Sequence, residues 1–220
     1  MAYIDFIAKI HKSTPRDYLE RVLRHDKAQC AEVAKAFGKE YWDGERKYGY
    51  GGYRYDGRWR PVAADLIAHY GLKPGDRVLD IGCGKGYLLA DLAESLPGLQ
   101  VHGLDISRYA IEHAKEEVRG ALACGTATAL PFPDRHFDLV LSLNTLHYLH
   151  IDGFCAAVRE LERVKRGGSY IVLESYRSEA EKANLIHWQL TCECFYTPEE
   201  WEWLFDRFGY TGDYSFIFFE

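Results

Sequence analysis

Residues 78 to 89 read VLDIGCGKGYLL, a short apolar run that breaks into three alternate glycines, Gly82, Gly84 and Gly86, before apolar residues resume. The run RVLDI, residues 77 to 81, has the length and composition of a buried strand, and the stretch from Tyr87 has helical spacing. Glycine permits backbone turns and close approaches that a side chain forbids. A strand-to-helix corner of this kind presses its amides against a ligand. Asp80, Gly82, Cys83, Gly84 and Gly86 are therefore candidate cofactor contacts.

About twenty residues on, HGLDIS ends a second apolar run in Asp105, followed by Ile106. A carboxylate at that strand end accepts both hydroxyls of an adenosine ribose. The plainer alternative makes the glycines turn residues and Asp105 a helix N-cap. From Arg77 onward the runs RVLDI, QVHGLD, ALAC, DLVLSL and SYIVLES alternate with helical stretches beginning near Tyr87, Ser107, Asp152 and Glu179. Such alternation implies a parallel sheet covered on both faces. Near the end, Thr197 and Glu200 form the signature of a capping box on a helix from Pro198 to Phe208, closed by Gly209. YTGDY after it reads as a hairpin turn. The expected fold is α/β, a Rossmann-like sheet of seven mostly parallel strands with a C-terminal antiparallel hairpin.

Upstream, residues 15 to 38 read as helix, with Pro15 at a first helical position after Thr14 and a second stretch from Cys30 to Phe37. Another helix runs from Pro61 to a stop at Gly71. Between them lies YWDGERKYGYGGYRYDGRW, residues 41 to 59, with five Tyr, two Trp and five Gly and no regular period. We divide the chain into an N-terminal helical and aromatic cap, 1–60, and a core, 61–220. Seven large aromatic residues exposed to water invite association, so the loop must cover something. Either it packs the N-terminal helices onto the sheet, or Tyr48, Tyr50, Tyr53, Tyr55 and Trp59 roof a pocket. Arg46, Lys47, Arg54 and Arg58 add positive charge that matches carboxylate or phosphate. Tyr48, Tyr50, Tyr53, Arg54 and Trp59 are the candidate acceptor contacts.

With 220 residues, 47% of them hydrophobic, the chain can bury one sizeable core. Its net charge of −6 and lack of a basic tail argue against nucleic acid as a partner. No apolar run approaches the roughly 18 residues of a membrane span, and the first residues carry charge too early for a signal peptide. A soluble, cytoplasmic protein with a small-molecule partner is expected, as monomer or homodimer. Six scattered cysteines are expected as free thiols. Cys192 and Cys194 lack the second pair that a structural zinc site uses, so no metal is expected.

A dinucleotide fingerprint wants its third glycine where Tyr87 stands. The pattern instead resembles the class I S-adenosylmethionine-dependent methyltransferases of the small-molecule, type 11/25-like group, with four elements matching in order over residues 61 to 220. The resemblance implies that VLDIGCGKG cradles the methionine half of S-adenosylmethionine and that HGLDIS holds the ribose. It implies that ACGTATALPFPDRHFDLVLSLNTLHYL borders the adenine through Thr126 and Ala127, and that its strand end, at Asn144, lies under the sulfonium. RVKRGGSYIVLE resembles the family's turn into the fifth strand. Thr126 departs from the pattern, which usually has an acidic residue there. The implied activity is O- or N-methylation of a small polar, anionic or sugar-linked metabolite. An amine or amino-acid-like acceptor, and a non-catalytic S-adenosylmethionine-binding partner or sensor, are the alternatives.

Methyl transfer from sulfur needs alignment and a water-poor pocket, and a base only where the acceptor keeps its proton. The C-terminal sheet edge nominates His147 as that base and Glu174 as a second catalytic group. Packing of the strand-to-helix corner is the other reading of His147, and pairing with an arginine that of Glu174. His187 and Trp188 lie where this family often grows a substrate lid.

Overall fold

The computed structural model describes residues 1–11, 17–50 and 53–220. Among the described residues one sheet has six strands: β1 (Arg77–Ile81), β2 (Gln100–Asp105), β3 (Leu122–Cys124), β4 (Phe137–Leu143), β5 (Lys165–Glu174) and β6 (Asp213–Ile217). Their order is β3-β2-β1-β4-β5-β6 and every neighbouring pair is parallel. The central strands β1 and β4 are strongly apolar, as strands buried on both faces must be. Phe137, Leu139, Val140 and Leu141 of β4 have no exposed surface.

Two expectations are corrected. The sheet has six strands rather than seven, and there is no antiparallel hairpin at YTGDY, because β6 runs parallel to β5. The helix Pro198–Phe208 persists to its left-handed cap at Gly209, leaving three residues before β6 and no first arm for a hairpin. A helical return from β5 delivers the next strand in the same direction, as a crossover requires. The outer edge of β6 is met by the N-terminal segment, where Tyr3 forms a single parallel bridge with Tyr214.

Helices cover both sheet faces. On one, Phe154, Val158 and Leu161 of the helix Ile151–Val164 pack with Trp201 and Phe205 of Pro198–Phe208. On the other, Val62 and Leu66 of Arg60–Tyr70, Leu89 and Leu92 of Tyr87–Ser95, and Leu185 of Glu179–Trp188 meet β1, β4 and β5. Full burial of each such side chain contributes about 1.5–3 kcal/mol.

A smaller cluster belongs to the N-terminal region: Cys30, Ala34 and Tyr41 with Leu190, against which Phe37, Trp42, Tyr48, Tyr50 and Tyr53 pack. The expected helix start at Pro15 lies outside the described residues; helices are found at Tyr18–Arg24 and Lys27–Lys35, each capped by an aspartate, Asp17 and Asp26. The aromatic segment is tied to the C-terminal sheet edge by polar contacts. The Lys85 Nζ pairs with Asp43 at 2.7 Å, the Trp42 indole donates to Ser107 Oγ at 2.8 Å, and the Tyr87 hydroxyl donates to the Tyr53 carbonyl at 2.6 Å. No helix among the described residues is long and apolar enough to cross a membrane.

Candidate cofactor and acceptor site

Strand order lays out the site. In an open α/β sheet the crevice forms beyond the carboxyl ends of the strands, where the winding direction reverses. Here that point falls between β1 and β4. A cavity of about 560 Å³ lies there, within the range of small-molecule and cofactor sites. Its walls follow the strand ends across the sheet: Thr126 and Ala127 after β3, Asp105 and Ile106 at β2, Gly82 to Lys85 after β1, Asn144 and Thr145 after β4, and Glu174 ending β5.

At the glycine corner two residues have no room for a side chain. A Cβ on Gly82, where φ is +81°, would fall 2.0 Å from the Thr145 hydroxyl, and one on Gly84, where φ is +54°, would fall 2.7 Å from the Trp42 ring. Both conformations lie in the left-handed region that glycine tolerates. Cys83 lines the cavity between them. Gly86 does not; it is the left-handed cap of the helix Tyr87–Ser95.

Two buried carboxylates, Asp80 and Asp105, line the cavity beside the glycine corner. Asp105 accepts from Gly84 N at 2.7 Å through Oδ2 and from Ser107 N at 2.8 Å through Oδ1. Each oxygen keeps a second acceptor position. Burial raises the Asp105 carboxyl more than these N–H bonds lower it. Asp80, fully inside, is pushed up to about 7 by burial and then by the charge of Asp105. Its Oδ1 is buried with no hydrogen-bond partner, and so is Asn144 Oδ1. Asn144 also sits at φ +55°, a conformation that a non-glycine residue holds at some cost. Buried polar atoms without partners, a side-chain-free corner and a carboxylate with open acceptor positions fit S-adenosylmethionine. Asp80 would face its amino group, and Asp105 its ribose.

At the far end of the cavity stands the end of β5. Glu174 lines the cavity, 6% exposed, while His147 lies behind it at 0% and does not reach the wall. The His147 Nε2 stands 3.5 Å from Glu174 Oε2, and burial pushes the ring down to about 3, so it is neutral at physiological pH. Gln189 Nε2 donates to the same Glu174 oxygen, and the Trp201 indole donates to the Glu174 carbonyl at 3.0 Å. All six cysteines are free, with Cys192 and Cys194 buried.

The aromatic segment divides. Tyr50, Tyr53 and Trp59 line the cavity, whereas Tyr48 and the exposed Arg54 do not. The Tyr50 hydroxyl is taken up within the protein: it accepts from Leu190 N at 2.7 Å and Thr191 N at 3.0 Å and donates to Gln189 Oε1 at 2.6 Å. The Tyr53 hydroxyl accepts from Tyr50 N at 3.0 Å. Tyr55 bonds Asp91 at 2.5 Å instead of facing the cavity. Arg46 and Arg58 do line it; Arg58 is held by Asp56 at 2.6 Å, and Arg46 lies 5.4 Å over the Trp188 ring. His187 is absent from the lining, but Trp188 is present, as are Phe37, Trp42 and Tyr148. These last three were not singled out in the sequence. Trp42 was legible as one of the aromatic residues needing cover, whereas Phe37 and Tyr148 carry no local signal apart from apolarity.

Comparison with known proteins agrees with this geometry. A methyltransferase-domain family matches residues 78–168. A demethylmenaquinone methyltransferase of Symbiobacterium thermophilum is 34% identical over 128 residues, covering 54% of this chain and 50% of that protein. A 2-methyl-6-phytyl-1,4-hydroquinone methyltransferase of Synechocystis is 32% identical over 178 residues, covering 71% and 55%. The chain thus spans about half the length of these curated relatives. The geranyl diphosphate C-methyltransferase of Streptomyces coelicolor, crystallised with Mg²⁺, geranyl diphosphate and S-adenosyl-L-homocysteine, shares the fold at a TM-score of 0.55 and 15% identity, covering 66% of this chain and 58% of that one. With its parallel sheet, glycine corner and acidic strand end, this chain carries over residues 78–168 a methyltransferase domain similar to the class I S-adenosylmethionine-dependent methyltransferases of the type 11/25 group.

Proposed function

We propose that this protein is a cytoplasmic enzyme that methylates an oxygen or nitrogen of a small polar metabolite, with residues 1–60 acting as the cap over the reacting groups. The observation that carries the reading is the single cavity running from Asp105 past Asp80 and Asn144 to Glu174. It joins a cofactor end to an acceptor end under an aromatic roof.

When bound, S-adenosylmethionine supplies a methyl carbon activated by positive sulfur. Asp105 would hold the ribose hydroxyls and Asp80 the methionine ammonium, and Gly82 and Gly84 would let the cofactor approach the backbone closely. Ile106, Thr126 and Ala127 would border the adenine, and Asn144 would hold the cofactor near its sulfonium. Glu174 would accept a hydrogen bond from the acceptor's O–H or N–H, orient it and take its proton. His147, behind Glu174, is a positioning residue. Trp42, Tyr53, Trp59 and Tyr148 exclude water and give a flat acceptor ring faces to rest on. Arg46 favours an anionic or sugar-phosphate-linked acceptor.

The test is a screen of sugar phosphates, nucleotide sugars, phenols and amino acids, read as S-adenosylhomocysteine formed and as acceptor mass increased by one methyl group. A methylated hydroxyl or amine is expected. A product methylated on carbon, or no turnover with any class while the cofactor binds, would overturn the reading.

A further inference from the structure

His147, Glu174 and Cys192 come from three separate stretches of chain: the short helix Leu146–Tyr148, the last residue of β5, and the segment following the helix Glu179–Trp188. They are 0%, 6% and 8% exposed. One donor atom of each lies within 4.8 Å of the other two. The His147 Nε2 and Glu174 Oε2 are 3.5 Å apart. Two ligands on a tetrahedral ion, at bond lengths of about 2.0–2.1 Å, stand about 3.4 Å from one another, and a thiolate at about 2.3 Å stands roughly 3.6 Å from each. The nitrogen and oxygen therefore already hold the spacing an ion imposes, and the sulfur has at most about 1 Å to close.

The polar inventory points the same way. His147 is wholly buried, and neither ring nitrogen has a hydrogen bond. An imidazole left so bears an uncompensated desolvation cost, which a cation accepting a ring lone pair offsets. The Glu174 carboxylate is oriented from behind by Gln189, itself held by the Tyr50 hydroxyl at 2.6 Å, the outer layer that metal ligands usually have. The Cys192 thiol donates to the Cys194 carbonyl at 3.0 Å; it gives up that proton on coordination. One nitrogen, one oxygen and one sulfur make a borderline-soft set that selects zinc over magnesium or calcium.

We propose that His147, Glu174 and Cys192 form a zinc site whose fourth position opens into the acceptor end of the cavity, where Glu174 forms the wall. Three protein ligands with one open position is the arrangement of zinc sites that bind a substrate atom. The open position takes water at rest and a heteroatom of the acceptor in the complex, so that with the ion present Glu174 serves the acceptor through the metal. Only the identity of that heteroatom rests on the methyltransferase reading; the ion does not.

The full chain, stripped with a chelator and dialysed, is titrated with Zn²⁺ and separately with Co²⁺. Expected are one ion per chain and a thiolate-to-cobalt charge-transfer band. Cys192→Ser abolishes the band and weakens Zn²⁺ binding at least about tenfold, Glu174→Gln weakens binding but keeps the band, and Cys194→Ser, two residues away, changes neither. Circular dichroism and S-adenosylhomocysteine binding show that each variant is folded. Less than half an equivalent of Zn²⁺ bound by the wild type, or a cobalt band that survives in Cys192→Ser, would overturn the inference. Wild-type protein that binds S-adenosylhomocysteine but not zinc refutes only the metal site, whereas loss of cofactor binding with zinc retained refutes the methyltransferase reading.

Discussion

At the scale of single residues, the site turns on two buried carboxylates with different hydrogen-bond partners. Asp105 is anchored by two backbone N–H groups. Asp105→Ala removes the acceptor for the ribose and is expected to weaken cofactor binding by about 1–3 kcal/mol, measured by calorimetry. Asp80 has an oxygen with no partner and holds its proton up to about 7. A cationic ligand prefers the ionised carboxylate, so S-adenosylmethionine affinity should rise with pH up to about 7 and flatten above it, with a proton released on binding below that pH. The ligand-free protein should respond oppositely. The unfolded chain releases this proton in the ordinary carboxylate range while the fold retains it, so Asp80 alone lowers stability as pH climbs toward 7. Identical heats in buffers of different ionisation enthalpy would contradict the coupling. These residues were legible because each sits in or beside one strand, where sequence and space run together. Cys192 was not, because its approach to His147 and Glu174 depends on the path of the chain after an intervening helix.

At the scale of elements, polar contacts fix how the helices and the aromatic segment meet the sheet. Thr197 accepts from Glu200 N while Glu200 accepts from Thr197 N at 2.8 Å, a reciprocal cap on Pro198–Phe208. Thr197→Ala should cost about 1 kcal/mol of unfolding free energy, seen as a lower denaturant midpoint with unchanged slope. Trp201 on the same helix is fully buried and bonds the Glu174 carbonyl; Trp201→Ala should cost about 3–5 kcal/mol. Tyr50→Phe should act on stability as well, by roughly 1–3 kcal/mol, because its hydroxyl serves two backbone donors. An unchanged unfolding midpoint would return that hydroxyl to acceptor binding. Alternation of apolar runs and helical stretches read correctly for β1 to β5, since burial on two faces leaves a local imprint. The hairpin at YTGDY did not, because a glycine-containing turn looks the same before any strand, while pairing direction is decided by where the preceding helix delivers the chain. Tyr48 and Arg54 were nominated by composition, which cannot tell which side of an irregular segment faces a cavity.

For the whole molecule, a cofactor filling the cavity would touch both the N-terminal region and the sheet ends. The glycine corner already meets Trp42 and Asp43 from the N-terminal region. Ligand present at a hundred times its dissociation constant stabilises the fold by about 2.7 kcal/mol, so the melting temperature should rise by several degrees. The most direct measurement is calorimetric titration of the wild-type protein and Asp105→Ala with S-adenosylhomocysteine and, in parallel, with a nicotinamide dinucleotide. Saturable binding of S-adenosylhomocysteine at one site per chain, weakened in Asp105→Ala, with no heat from the dinucleotide, is the result predicted. Preference for the dinucleotide, or S-adenosylhomocysteine binding indifferent to Asp105, would contradict it.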